Sequence, residues 1–374
     1  MVAVDYSANR STHLPFGGYS STRNRDFISS ALLAKLIKDP TFLAIGGTGA
    51  PSDSLFTPVT NPFCSLFGAT GGQPCLFNAG PAIFNEPDSQ YGNATIPLAN
   101  LLRPFPQFDG DFEGLPRLVA NSWYNSMQIR FQKRTSHYLS FEGSYTFSKM
   151  TDNSSTGANA FVGTLNNGNP QQLDNLAAEY SVSANDTPQR LAVAVVVDLP
   201  VGRDRWIGGG MNRFVDAVIG GWSLSTLVTQ QSGQPLSIYM ANNLLLDGNQ
   251  RPNVICGGST GVGSNRGAVT QVPVLNVNCF ADPGDQVPGN GPRYYPGLRA
   301  DGIHNFDASL YKEFTPREGM TLQLRAEVFN TFNTPRFAPP DTNFASGDSQ
   351  FGIINSTAAG YRPRGIQWGV RFEF

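Results

Sequence analysis

The chain has 374 residues, a formal net charge of -2 and a charged fraction of only 14%, well below the roughly 25% of ordinary soluble domains. A pI near 5.9 gives no basic field to attract nucleic acid, and no apolar run approaches the ~18 residues of a membrane-crossing helix, although mean hydropathy is only -0.22. Low charge without long apolar runs suits a membrane β-barrel, where each strand gives every second residue to lipid; the 40 glycines, 27 prolines and 26 phenylalanines fit aromatic-rich strands between turns and loops.

Met1-Val-Ala-Val-Asp-Tyr6 has neither a basic n-region nor an apolar h-region. A protein bound for an outer membrane needs such a leader, so the expectation is that the chain is the C-terminal part of a longer protein. Val2 to Tyr6 reads as a short strand stub. From Ile28 to Lys38, Leu32, Leu33, Leu36 and Ile37 recur at helical spacing before Pro40, which predicts one amphipathic helix packing inside a folded loop rather than on a membrane. Gly46-Gly-Thr-Gly49 and Gly257-Gly-Ser-Thr-Gly-Val-Gly263 lack the Gly-Lys-Ser/Thr of a phosphate loop and read as flexible loop segments.

Period-two segments then follow one another. Trp123, Asn125, Met127, Ile129 and Phe131 alternate with Tyr124, Ser126, Gln128, Arg130 and Gln132. After a tight basic turn at Lys133 to Ser136, Leu139, Phe141, Gly143, Tyr145 and Phe147 alternate with Ser140, Glu142, Ser144 and Thr146. Leu191, Val193, Val195, Val197 and Leu199 form an apolar face, and Trp222 to Ser237 reads as one further strand, with a turn signal at its exit, Gly233-Gln234-Pro235. Phe306, Ala308, Leu310 and Phe314 alternate with Asp307, Ser309, Tyr311 and Glu313; Thr315 to Gly319 turns the chain into Met320, Leu322, Leu324, Ala326 and Val328. The last strand, Arg364 to Phe374, places Ile366, Trp368, Val370, Phe372 and Phe374 on one face and Gln367, Gly369, Arg371 and Glu373 on the other. The last strand of a soluble β-sandwich would alternate in the same way; composition favours the barrel. The count is about eight strands.

Connections alternate in length. Short or moderate links follow Lys133, Leu199 and Phe314, whereas 7–120, 149–187, 238–303 and 331–363 are long and rich in Gly, Asn, Pro and Ser. Loops of that length are uncommon inside compact domains, but outer-membrane barrels pair short periplasmic turns with long extracellular loops. With Phe374 on the periplasmic side, every long stretch falls outside. The expected fold is all-β: an antiparallel transmembrane meander of about eight strands, forming a partial, open barrel with long extracellular loops.

Few residues suggest chemistry. Cys64 with Cys75 and Cys256 with Cys279 each fall within one loop; two loop-local disulfides or free thiols are both open, and neither pair has zinc spacing. His13, His137 and His304 have no ligand-type neighbour at metal-binding spacing, and no G-x-S-x-G elbow occurs. No metal, cofactor or enzymatic activity is expected. If the last two strands pair, Gln323, Arg325 and Glu327 share a face with Gln367, Arg371 and Glu373, where facing opposite charges would satisfy one another or bind polar solutes.

The terminal order of Gln367, Gly369, Phe372 and Phe374 resembles the signal that outer-membrane proteins present to the barrel assembly machinery. Asn121-Ser-Trp-Tyr-Asn-Ser-Met-Gln-Ile-Arg-Phe-Gln-Lys-Arg134, Gly143-Ser-Tyr-Thr-Phe-Ser-Lys-Met-Thr-Asp152, Gly220-Gly-Trp-Ser-Leu-Ser225 with Gln231-Ser-Gly-Gln-Pro235, and Leu324-Arg-Ala-Glu-Val-Phe-Asn-Thr-Phe-Asn333 resemble the C-terminal barrel half of Oar-like TonB-dependent transporters. Leu101-Leu-Arg-Pro-Phe-Pro-Gln-Phe108 and Thr60-Asn-Pro-Phe63 are similar to loop phrases of that family. The resemblance covers almost the whole chain in order. It implies a complete barrel of about 22 strands filled by an N-terminal plug, with residues 1–374 as its C-terminal part and the plug and TonB box lying elsewhere. The implied function is energised passage of a large polar ligand. The implied partners are outer-membrane lipid, the assembly machinery, the TonB complex through the N-terminal part, and an unknown extracellular ligand. The alternative is a non-transport, adhesin-like β-sheet module whose long loops bind a partner.

Overall fold

The computed structural model describes residues 1–15, 27–63, 95–106, 118–136, 138–153, 157–159, 163–165, 170–172, 174–203, 205–246, 248–257, 273–317 and 319–374. Eight long strands form a wall: β1 (Val2–Pro15), β2 (Leu118–Ser136), β3 (Leu139–Asp152), β4 (Gln189–Asp198), β5 (Trp222–Gln231), β6 (Ile303–Arg317), β7 (Met320–Phe329) and β8 (Gly365–Glu373). Each pairs antiparallel with its sequence neighbour, in the order β1 to β8, and Ser181–Val182 adds a short ninth strand beside β3. Among the described residues β1 and β8 do not pair with each other, so the sheet is open.

Because directly paired residues point to the same side, the register carries one face across the whole wall. A single rung runs Val4, Ile129, Tyr145, Leu191. Further along, Val197, Leu224, Leu310, Ala326 and Trp368 share another. The opposite face carries Gln128, Thr146 and Arg190, and toward β8 Ser309, Glu327 and Gln367. Thus Leu191, Val193, Val195, Val197 and Phe372 lie on one apolar face. Its side chains are half-buried or exposed, Trp368 79% and Val370 72%. The wall has its apolar side toward the surroundings, the arrangement lipid requires and water penalises.

Two wall hairpins close in the tightest way. Ser136 pairs with Leu139 and Arg317 with Met320, and the second turn residues, Tyr138 and Gly319, have φ of 66° and 82°. Two-residue turns that match strand twist need such positive φ. The third link at this end, between β4 and β5, carries a helix, Arg213–Ile219. All four long connections leave from the opposite end. β1 is a full strand of 14 residues rather than a stub, with His13 at φ 57° where its register shifts between Ser11 and Leu14. β5 ends at Gln231, not Ser237. A Cβ at Gly233 would lie 1.7 Å from the Ala300 carbonyl oxygen, so the backbone bends into close contact there, and Pro235–Leu236 joins Tyr295–Arg299 instead.

The buried apolar core lies in the layer built by the long connections, above the wall's loop end. Leu236, Ile238, Met240, Leu275, Phe280, Tyr295, Phe344 and Phe351 pack together, with Phe280 ringed edge-on by Tyr295 and Phe351. Tyr239–Met240 pairs in parallel with Asn343–Phe344, so two connections distant in sequence are stitched into one cap. A second core joins Ile28, Phe42, Leu55 and Ala99 to Leu32, Leu33, Leu36 and Leu246. The predicted helix is Ser30–Leu36, capped by Ser29, and its leucines do fill a loop core. Pro40 also starts a helix of its own, Pro40–Ile45, in the N1 position that a missing N–H favours, behind an Asp39 cap. The first connection is further tied to the others by Ser30 N–H donating to Asp174 (2.8 Å) and Ser52 N–H to Asp285 (2.7 Å).

Candidate functional site

The polar face of β6 to β8 carries the charges singled out from sequence, and the two strands do pair: Gln323 faces Arg371, Arg325 faces Gly369 and Glu327 faces Gln367. No acid therefore stands opposite either arginine. The ion pairs run along the strands instead, Arg325 to Glu327 at 3.3 Å and Arg371 to Glu373. Across the strands the links are amide-mediated: Gln323 Nε2 donates to Glu313 at 2.8 Å. Arg325 also donates to Gln323 (3.0 Å) and lies 5.9 Å from the Tyr311 ring centre. These groups are partly or fully solvent-exposed, so each pair contributes at most ~1 kcal/mol; they make a hydrogen-bonding surface that can exchange partners with a polar solute.

At the loop end the cap is fastened by three buried or half-buried arginines, all in the connection between β5 and β6. Arg251 grips Glu179 with both terminal guanidinium nitrogens, at 2.7 and 3.1 Å, and Glu179 also accepts the Gln171 and Gln172 N–H groups. Arg293 donates to the Glu179 and Asp152 carbonyls (3.0 and 2.8 Å) and pairs with the Asp152 carboxylate at the end of β3. Arg299 donates to Asp186 at 2.6 Å and to the Gly233 carbonyl at 3.1 Å. Every cation comes from one connection and every anion from β3 or the connection that follows it. Planar forks that satisfy carboxylates and carbonyls together make such burial tolerable.

Between this cap and the wall lies a recess of about 640 Å³, reached by Tyr145, Leu191, Gln230 and His304 from the strands and by Arg299 and Asp301 from the cap. His304 Nδ1 is bonded to Gln230 Oε1. A carboxamide oxygen accepts, so the hydrogen of that bond sits on Nδ1; Nε2 is buried and has no partner among the described residues. A neighbouring recess of about 650 Å³ is lined by Asn305, Asp307, Arg336, Tyr361, Arg362 and Gln367. Those strand residues of the first recess belong to the apolar face, whereas Asn305, Asp307 and Gln367 place the second on the polar face. In the cap, burial pushes the Tyr295 phenol well above its ordinary pKa against a smaller opposing effect of Arg251.

Of the sequence candidates, Cys256 and Cys279 form a disulfide with Cα atoms 4.8 Å apart, inside the cap core. Cys64, Cys75 and His137 lie outside the described residues, as do 258–263 of the second glycine-rich run. Gly47 and Gly49 sit at φ 79° and 81° after a helix end, a turn role. Among the described residues no group of three or more His, Cys, Asp or Glu side chains could hold a metal. Gln367, Gly369 and Phe372 lie in β8, with Phe374 just beyond it and 94% exposed. A Cβ at Gly369 would make only an ordinary 3.8 Å contact with Arg325 Cβ, so packing gives no reason for glycine there. The arginine forks and the helix Arg213–Ile219 were not singled out from sequence. The helix had a signal: Asn212 before it and Gly220 after it are cap residues. The forks had none, since partners stand 72 to 141 residues apart.

An open antiparallel wall, apolar on one side and polar on the other, with tight turns at one end and a folded cap at the other, defines a β-barrel membrane protein. Residues 72–367 match the family model described as outer membrane beta barrel domain. The chain belongs to that family, and its place is the outer membrane. No curated protein matches it in sequence. A solved structure, the outer membrane transporter YddB from Escherichia coli, is similar over 68% of this chain and 25% of the transporter, at 9% identity and a TM-score of 0.27. The chain thus spans about a quarter of that transporter's length.

Proposed function

We propose that this chain is the C-terminal wall segment of a TonB-dependent transporter of the Oar-like type, with the cap outside the cell and the tight turns in the periplasm. In the complete protein it would act in energised passage of a large polar ligand. The observation that carries the reading is the sidedness of the wall: all four long connections leave from one end and fold there over buried cores of their own, while the other end is closed by tight turns and one short helix. A ligand would meet the recess around Asn305, Asp307 and Arg336 first and the Gln323, Arg325, Glu327 surface of the same face next. The open edges of β1 and β8 support placement within a larger barrel, because unpaired backbone groups facing lipid cost several kcal/mol each. TonB would act through the N-terminal part that the resemblance implies, and Gln367, Gly369, Phe372 and Phe374 would be read by the assembly machinery.

The test is capture of the protein, expressed with the coding sequence that precedes Met1, on the immobilised periplasmic domain of TonB. The longer protein is expected to bind and residues 1–374 alone to pass through. A longer protein that reaches the outer membrane and does not bind TonB overturns the transport reading in favour of an adhesin-like surface module.

A further inference from the structure

The link between β4 and β5 carries one short helix, Arg213–Ile219, capped by Asn212, whose side chain accepts from the Phe214 and Val215 N–H groups. An amphipathic helix on a water-facing protein surface turns its apolar stripe inward. This one does the reverse. Phe214 is 87% exposed and Val218, one turn on, 69%, with Val215 and Ile219 beside them also exposed. Its carboxylate points the other way: Asp216 Oδ1 accepts the Arg203 N–H at 2.6 Å and lies against Gly202 and Gly220 within the link.

The helix is fixed to the apolar face of the wall by two residues of that face. Lys312 pairs with Trp222 and Leu324 on a rung that is otherwise apolar, where an unpaired ammonium would be costly in lipid. Its Nζ donates to the carbonyls of Asp216 (3.2 Å), Ala217 (2.7 Å) and Gly220 at the helix C-terminus, the first of which also accepts the Gly220 N–H. Trp222 Nε1 donates to the Val218 carbonyl at 2.9 Å. The helix therefore stands on the lipid side of the wall, at its turn end, with its hydrophobic stripe uncovered. In the same link Trp206 is 87% exposed, and Arg203, Arg205 and Arg213 supply positive charge.

We propose that this link is an interfacial membrane anchor. The stripe Phe214, Val215, Val218 and Ile219 inserts into the acyl boundary of the phospholipid leaflet at the turn end, and the arginines meet lipid phosphates. The occupant is lipid because the stripe continues the lipid face itself, through the residues Lys312 and Trp222 that belong to both. Basic residues around an apolar stripe, with an aromatic at the boundary, are the composition of helices that lie in a membrane surface. The anchor would fix the depth and tilt of the wall. It rests on the lipid-facing side of the wall, and not on what the protein transports.

The test uses the full chain with Phe214→Trp, inserted into phosphatidylethanolamine and phosphatidylglycerol vesicles brominated on the acyl chains. Emission of the added indole, taken as the difference from the unsubstituted chain, is expected to be quenched by bromine, shielded from acrylamide and blue-shifted, as at ~5–10 Å into the headgroup and acyl boundary. Val218→Trp, on the same stripe, repeats the reading should the first variant insert poorly. Added emission that is open to acrylamide and untouched by bromine, while the native Trp222 and Trp368 are quenched, overturns the anchor and leaves the wall in lipid. Insertion is checked first by co-flotation with the vesicles and protection of the strands from protease; an inserted chain whose Trp222 and Trp368 also escape bromine overturns both.

Discussion

Arg251 and Glu179 form a two-pronged ion pair, Nη1 to Oε2 at 2.7 Å and Nη2 to Oε1 at 3.1 Å, with side chains 4% and 0% exposed. Glu179 follows β3 and Arg251 follows β5, so the pair joins connections from separate parts of the wall. Truncating one partner strands the other charge. Glu179→Ala is expected to destabilise the cap by about 3–5 kcal/mol, seen as a lower melting temperature in near-UV circular dichroism and faster proteolysis after β5. The far-UV strand signal of the wall should persist; its loss together with the cap would mean the two layers fold as one unit.

The Cys256–Cys279 disulfide closes a loop of 23 residues within the cap core. Cross-links of that span restrict the unfolded chain by ~3 kcal/mol. Replacing both cysteines with serine should lower cap stability by about that amount, and the variant's cap should not respond to reductant whereas that of the unsubstituted protein should. Equal melting of the variant and oxidised protein would contradict a structural role.

Val195 sits on the apolar face between Phe141 and Thr226, and Ala194 on the polar face between Glu142 and Leu227. Val195→Arg is expected to cost ~2–4 kcal/mol if the residue lies at the bilayer midplane, whereas Ala194→Ser should cost little. Refolding titrations into lipid vesicles measure both. Equal sensitivity would indicate that both faces are dry.

Tyr295 has a buried hydroxyl with no partner among the described residues, and burial raises its pKa in the folded protein. A raised folded-state pKa means that the contribution is intact below the unfolded value near 10 and fades as pH climbs through the folded value. The cap should thus lose stability above ~pH 10. Tyr295→Phe should remove that part of the decline and match or exceed the parent by ~1 kcal/mol at neutral pH. Thermal melts from neutral to alkaline pH compare the two.

Phe374 packs its ring 5.8 Å from Phe372 at the turn end, far along the chain from the cap. Deleting it is expected to reduce the amount of folded protein reaching the outer membrane and to leave the melting temperature of what does fold unchanged. Normal membrane levels after the deletion would remove the assembly role.

The strands were legible because their signal is local. Alternation of period two at Leu191 to Val197 or Ile366 to Phe372 assigns each residue to a face before any partner is known, and antiparallel pairing of neighbours then merges those faces without further choice. Sidedness was legible for the same reason, since connection lengths are read directly along the chain. Tertiary structure alone decided what the long connections do. Arg251, Arg293 and Arg299 have no sequence neighbour that marks Glu179, Asp152 or Asp186 as partner, and burial of an ion pair depends on everything folded around it. It also decided that Arg325 and Arg371 pair along their strands, because register set Gly369 and Gln323 opposite them. Likewise Lys312, a polar residue breaking an apolar alternation, became intelligible only when the carbonyls at the end of Arg213–Ile219 came within reach of its ammonium.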